Sequence, residues 1–279
     1  MASYTKISYN SLVKFLYGSE LAGYIKERQA KQVRRLRQSL KIIPKLAIVV
    51  TVDNPAINTY IRLKQAYGED ILVEVVVYRI NQESISDLLN KLNNDQYTHG
   101  IIIQLPLNNP SQTEDIIRQI NPKKDVDGLN PNSVFAPATP TAILWLLNGY
   151  NIELLGKTIV LVGQGKLVGS PLTKMLRQSG LEPLVADKDT KNLKELVKSA
   201  EVIISATGNI GLITSDMIKP NAVVVDAGVA SEEAKILGDV DSQVYDQRDD
   251  LTITPTKGGV GPLTVCALFD NVIKAAEAS

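Results

Sequence analysis

One cysteine, one histidine, one tryptophan and three phenylalanines are all that 279 residues hold of these types. A lone Cys266 excludes an intrachain disulfide and a cysteine cluster for zinc, and a lone His99 excludes any site that needs two histidines. No stretch is long enough and uncharged enough to span a bilayer, and the opening MASYTKISYN lacks the apolar run of a signal peptide. The expectation is a soluble cytoplasmic protein. An excess of either charge is also missing, because thirty basic residues balance thirty acidic ones. No global field gathers nucleic acid or an anionic membrane, so a charged ligand must be met locally.

The two rare residues read as structural. Cys266 lies in the apolar run PLTVCALF, where a core thiol is the natural role. His99 opens HGIIIQL without a plausible partner.

What is present is alternation. The segment LAGYIKERQAKQVRRLRQSL spaces apolar groups by three and four among charges, which predicts a helix with a solvated basic face. Compact apolar runs at 45–50, 71–78 and 100–105 are separated by helix-like segments 55–67 and 82–95. A second series of runs occupies 158–163, 182–187, 200–208 and 222–228. Strands alternating with helices predict an α/β fold of two α/β domains with largely parallel sheets. The boundary falls in the helix-like segment around 140–150, and the closing segment GPLTVCALFDNVIKAAEA runs back to the first domain as a helix. Two crossing helices leave a cleft between the domains, a common place for a ligand.

The stretch TIVLVGQGKLVGSPL is a buried strand, a glycine turn and a helix start, with Gly163, Gly165 and Gly169 spaced GxGxxxG. Gly163 permits the tight turn, Gly165 lets backbone amides approach a pyrophosphate, and the helix N-terminus offers it partial positive charge. This marks the second domain as a Rossmann-like nucleotide-binding unit. The next strand ends in ADKDT, where the signs conflict: Asp187 suits the ribose hydroxyls of NAD, and Lys188 suits the 2′-phosphate of NADP.

In NTYIRLKQAYGED, Tyr60 and Lys64 stand one helical turn apart and can meet one ligand. Spacing alone favours a packed tyrosine and a solvated lysine. The YxxxK of short-chain dehydrogenases is disfavoured by order, since there the glycine motif precedes the tyrosine and here it follows. An amino-acid dehydrogenase also pairs an N-terminal lysine with a later nucleotide domain.

The blocks DNPAINTYIRLK, HGIIIQLPL, NPKKDVDGLNP, FAPATPTA, GKTIVLVGQGKLVGSPL, VVVDAGV with GDV, and TPTKGGVGPLTV occur in order from about residue 45 onward. Together they resemble the bifunctional methylenetetrahydrofolate dehydrogenase/cyclohydrolase family. The resemblance implies that residues 1–140 with 263–279 form a folate-binding catalytic domain and 141–262 an NAD(P)-binding domain. It implies Lys64 as the catalytic lysine, Tyr60 against the pterin, Gln104 bonded to the lysine and Asp127 on the pterin's polar edge. Gly259 and Pro262 would border folate and nicotinamide. Gly163, Gln164, Gly165, Lys166, Gly169, Lys188, Thr207 and Gly228 would serve the cofactor, NADP or alternatively NAD. A homodimer follows by the same resemblance; the alternatives are a nucleotide- or folate-binding module that has lost catalysis and an NAD-dependent monofunctional dehydrogenase.

The chain departs from the family pattern at four places. Ile57 stands where serine is common, which removes a hydroxyl near the lysine and would weaken hydrolysis. Gln164 stands where some relatives have arginine, Lys257 replaces a usual proline and Ala138 a usual cysteine.

Overall fold

The computed structural model describes residues 13–228, 230–232 and 235–279. The start, 1–12, in which no signal peptide was read, lies outside the described residues. The chain enters through a two-residue strand, β1 (Lys14–Phe15), and a long helix, α1 (Gly18–Arg35), whose end widens over Leu36–Leu40. Then come β2 (Lys45–Val50), α2 (Pro55–Asp70), β3 (Glu74–Arg79), α3 (Ile85–Asn94), β4 (Gly100–Ile103) and a short α4 (Thr113–Ile117). A bridging helix, α5 (Ala138–Gly149), leads to β5 (Ile159–Val162), α6 (Gly169–Gln178), β6 (Leu184–Ala186), α7 (Leu193–Ser199), β7 (Val202–Ser205) and β8 (Val223–Asp226). A small antiparallel ribbon, β9 (Ala230–Glu232) and β10 (Lys235–Leu237), precedes α8 (Ser242–Gln247), β11 (Thr252–Ile253) and the closing α9 (Val260–Glu277).

Two parallel sheets result, as the alternation predicts. The first has order β3-β2-β4 and the second β1-β11-β8-β7-β5-β6. Central strands of parallel sheets are covered on both faces, which is why β2, β5 and β7 read as unbroken apolar runs rather than alternating ones. β1 was not legible in the sequence. Two residues carry no periodicity, and they pair with β11 in the second sheet although they begin the chain's first half.

The first core packs β2 and β4 against α2 and the C-terminal half of α9, with Phe269 fully buried at its centre. The second packs β5 and β7 against α5, α6 and the N-terminal half of α9, including Leu263 and Cys266. One helix therefore seals both cores, and α5 lies alongside it. Cys266 is fully buried, as its apolar context predicts. His99 accepts the Lys45 N–H through Nδ1 at 3.1 Å, a pairing that suits the neutral imidazole, and burial holds its pKa below the ordinary value. The basic face of α1 is solvated at Arg34 and Arg35.

Candidate active site

The start of α2 is fixed by Asn54, whose side chain accepts the Ile57 N–H at 2.8 Å, and by Pro55 in the first helical turn. This phase turns Ile57 and Ile61 into the first core. It leaves Tyr60 and Lys64 half-buried on the adjoining face, one turn apart. The chain leaves β4 at Gln104 and turns through a cis Leu105–Pro106 peptide. The two elements meet where Lys64 Nζ donates to Gln104 Oε1 at 2.8 Å, while Gln104 Nε2 donates to the Leu105 carbonyl at 3.1 Å. The second bond fixes the amide's orientation, so it is the oxygen that faces the lysine.

Burial of the amine pushes the Lys64 pKa down, and the nearby Asp127 carboxylate opposes the shift. Burial pushes Asp127 up in turn, and Lys64 opposes it. Tyr60 is also raised by burial and stays a neutral phenol. The arrangement is an amine biased toward its neutral form, held by an amide, with a carboxylate nearby whose oxygens have no hydrogen-bond donor among the described residues.

The loop that carries Asp127 is tied down from α9. Asn271 Nδ2 donates to the carbonyls of Val126 and Ala136, each at 2.9 Å. Gly128 supplies the required turn at φ +70°, where a Cβ would meet the Pro137 backbone at 2.7 Å. Inside this loop lies Asp125, an acid the motif contained and sequence reasoning passed over. It is 1% exposed, one oxygen accepts the Asn130 N–H at 2.7 Å, and the other has no partner. Burial lifts its pKa to about 6.

An acid raised in the folded state favours folding below its unfolded pKa, and that contribution is lost as pH climbs toward 6. Asp125→Asn removes the penalty at every pH. Relative to wild type its stability should rise by roughly 2 to 3 kcal/mol between pH 4 and pH 8. Denaturant melts at the two pH values check this, and a pH-independent difference would refute it.

The second cluster forms at the carboxyl end of β5. Gly163 has φ +102°, and a Cβ there would stand 2.6 Å from the Ala206 carbonyl oxygen. At Gly169 a Cβ would stand 1.9 Å from the Gly163 oxygen, so α6 starts hard against the turn. The Cβ position of Gly165 faces open space. Among the described residues no acceptor meets the N–H groups of Gly165, Lys166, Leu167 and Val168. Free amides above an open glycine, at a helix N-terminus, fit a pyrophosphate.

The side chains around this turn divide. Gln164 folds back on α6, with Nε2 donating to Thr173 Oγ1 at 3.0 Å and to the Gly163 carbonyl at 3.1 Å. It forms one wall of a depression of about 440 Å³ that Lys174 and Arg177 also line. Lys166 pairs with Glu114 on α4, a side-chain contact between the turn after β5 and the first unit. Asp187 is engaged, its Oδ1 accepting from Asp189 N–H and Thr190 Oγ–H at 3.0 Å each. Lys188 is exposed beside it and holds none of the other candidate residues. Thr207 and Gly228 follow β7 and β8. Gly259 and Pro262 open α9, and Gly18 lies so close that a Cβ on it would stand 2.0 Å from the Gly259 oxygen. Ala138 is buried at the start of α5 and Lys257 is exposed, so both substitutions are accommodated.

Comparison with known proteins supplies the deciding observation. Residues 16–127 match the family model described as tetrahydrofolate dehydrogenase/cyclohydrolase, catalytic domain, and residues 137–279 match its NAD(P)-binding domain. The chain belongs to the tetrahydrofolate dehydrogenase/cyclohydrolase family.

Its relatives in this family include the bifunctional protein FolD of an Exiguobacterium species, 35% identical over 93% of this chain and 97% of that one. The crystal structure of the bifunctional FolD from Campylobacter jejuni superposes with a TM-score of 0.89 at 36% identity, covering 95% of this chain and 99% of that one. The Trypanosoma brucei enzyme, solved with NADP and an inhibitor, gives a TM-score of 0.89 at 26% identity over 96% and 98% of the two chains.

Proposed function

We propose that this member of the family oxidises 5,10-methylenetetrahydrofolate to 5,10-methenyltetrahydrofolate with NADP and hydrolyses the product to 10-formyltetrahydrofolate, in one-carbon metabolism. The observation that carries the reading is the Lys64–Gln104 bond at 2.8 Å with the Asp127 carboxylate nearby, in a chain whose second unit carries the open glycine turn. Bound NADP would be held by the amides of the Gly163–Gly169 turn and by Thr207 and Gly228, and it supplies the hydride acceptor. The resulting methenyl cation spreads its charge over two folate nitrogens, so the protein's task in that step is alignment and exclusion of water.

Hydrolysis asks more of the side chains. Neutral Lys64 takes a proton from water as the water oxygen bonds to the methenyl carbon. The ring then opens by cleavage of one carbon–nitrogen bond: the proton held by Lys64 passes to the departing nitrogen, and the hydroxyl proton of the adduct leaves to solvent as the formyl carbonyl forms. A protonated lysine would repel the cation, so the burial that lowers its pKa serves the step. Asp127 would accept two parallel N–H bonds from the amino-pyrimidine edge, with Tyr60 against the ring. Gly259 and Pro262 would close the site at the start of α9. Ile57 is 4% exposed and packs in the first core, which puts an apolar group where the family commonly has a hydroxyl.

Incubation of purified protein with methylenetetrahydrofolate and either nicotinamide cofactor tests the reading through the absorbance of the methenyl product and of reduced cofactor. Absence of turnover with both cofactors, despite binding, would favour a binding module. Oxidation without hydrolysis would mark a monofunctional dehydrogenase and implicate Ile57.

Cofactor choice turns on the end of β6. Asp187 spends one oxygen closing its own turn, whereas Lys188 is exposed and uncommitted. NADP should therefore be preferred, and Lys188→Ala should lower the NADP-to-NAD ratio of kcat/KM roughly tenfold. An unchanged ratio would remove Lys188 from the phosphate site.

The division into residues 1–140 with 263–279 and 141–262 remains our reading of the domains, with β1 crossing to the second sheet. We infer a homodimer from the open edge of β3, where Val75, Val76, Val77 and Tyr78 are only half-buried and backbone groups are left to pair. Sedimentation at a single 30.4 kDa species would refute it. No helix among the described residues is long and apolar enough to cross a membrane. The bacterial relatives support our assignment of the enzyme to the cytoplasm.

A further inference from the structure

We propose that Asp239 is a positioning residue that holds the floor of the cleft for the nicotinamide riboside half of the dinucleotide, acting through Thr207 and Gly228. The inference rests on the dinucleotide reading above. In the order β6-β5-β7-β8 the chain reverses direction across the sheet between β5 and β7, and a dinucleotide lies across such a point. With the pyrophosphate on the turn after β5 and the adenosine toward β6, the other half falls over the ends of β7 and β8. The segments there are 205–208 and 226–228.

Asp239 joins them. It is fully buried, and Oδ2 accepts the Ser205 hydroxyl at 2.6 Å and the Thr207 N–H at 2.7 Å. Its own N–H donates to Asp226 Oδ1 at 3.1 Å, and its carbonyl accepts the Ile213 N–H at 2.9 Å. Asp226 completes the clamp by accepting from Gly228 N–H and Val240 N–H, each at 2.9 Å. The contact is reciprocal and tight. A Cβ on Gly228 would stand 2.0 Å from Asp239 Oδ1, and a Cβ on Gly238 would stand 2.0 Å from Asp226 Oδ2. Glycine at both places is what admits the two carboxylates.

The arrangement is not the cheapest way to join three loops. Two carboxylates are brought together without a cationic side chain among their described partners, and Asp239 Oδ1 is buried with no hydrogen bond among the described residues. Uncompensated buried charge is costly, and neutral side chains could tie loops together without it. The loop so held is the one against which the glycine turn closes, since a Cβ on Gly163 would meet Ala206 O at 2.6 Å and Thr207 Cγ2 at 3.0 Å. With its N–H committed to Asp239 and its Oγ1 accepting from Asn209 N–H at 3.0 Å, Thr207 keeps one hydroxyl proton to donate. Asp239 thus sets where that donor stands relative to the turn that grips the phosphates.

The test compares two ligands on the full-length protein by calorimetry: NADP, and 2′-phospho-ADP, which lacks the nicotinamide riboside. Asp239→Ala should weaken NADP at least tenfold and the truncated ligand less than twofold. Its KM for NADP should rise in step, while hydrolysis of methenyltetrahydrofolate, which needs no dinucleotide, stays within twofold of wild type. Asp239→Asn, which keeps an acceptor, should recover most of the NADP affinity. Equal weakening of both ligands, or no weakening of either, would overturn the proposal. If Asp239→Ala does not fold, as loss of hydrolysis would reveal, the asparagine variant decides by the same comparison of ligands. A wild-type protein that binds neither ligand would instead overturn the dinucleotide reading beneath it.

Discussion

Lys64→Met should lower hydrolysis of 5,10-methenyltetrahydrofolate by about a hundred- to ten-thousand-fold, the range that general-base assistance supplies and equivalent to roughly 3 to 5 kcal/mol of barrier. Methionine keeps the length and apolar stem of the side chain and removes only the amine, so Tyr60 and Asp127 should still bind folate. Oxidation should suffer less, because hydride departure needs no strong base. The pH profile gives a second reading. Burial lowers the pKa of Lys64, so the hydrolytic rate should climb with pH and level off below the range of an ordinary lysine. Asp127 works against that shift, and Asp127→Asn should move the climb to lower pH even as it weakens folate binding. Unchanged decay of the methenyl absorbance in Lys64→Met would end the assignment of the base.

Gly169→Ala should produce the opposite division of activities. The added methyl would stand 1.9 Å from the Gly163 oxygen, 2.7 Å from its carbonyl carbon and 3.0 Å from the Gln164 Cα, all of them backbone atoms. No side chain can swing aside, so the turn and the start of α6 must separate by about an ångström. Misplacement on that scale costs on the order of a hundredfold in rate. Dehydrogenase activity and NADP affinity should fall together, while hydrolysis in the other half of the cleft persists. Wild-type dehydrogenase kinetics in this variant would show that the turn does not grip the cofactor.

How much of this was legible in the sequence depends on the range of the signal. Central strands and their helices were legible because burial on both faces leaves unbroken apolar runs, and the glycine turn because steric demand leaves few alternatives. Tyr60 and Lys64 were legible as a pair from helical spacing, but their meeting with Gln104 joins positions forty residues apart, and only the family resemblance anticipated it. Asp125, Asp239 and Asn271 were missed. Asp239 and Asn271 act through backbone groups distant in the chain, Asp125 through the nearby Asn130 N–H, and no local pattern marks an acid or amide that will be buried. β1 was missed because its pairing partner lies more than two hundred residues downstream.

That α9 seals both cores also bears on how the protein comes into being. Strands β2 and β4 are made early, yet the core they belong to is filled by Leu268, Phe269 and Val272, and the second core waits for Leu263 and Cys266 from the same helix. Such long loops must close before their contacts return anything, which slows the search. A chain emerging from the ribosome therefore carries two half-built, apolar interiors until residues 260–277 are clear of the exit. Both then close in one late event, which also fastens the Asp127 loop through Asn271. Until that event the open apolar faces are the kind of surface that aggregates or engages chaperones, so activity is gained only with the last helix.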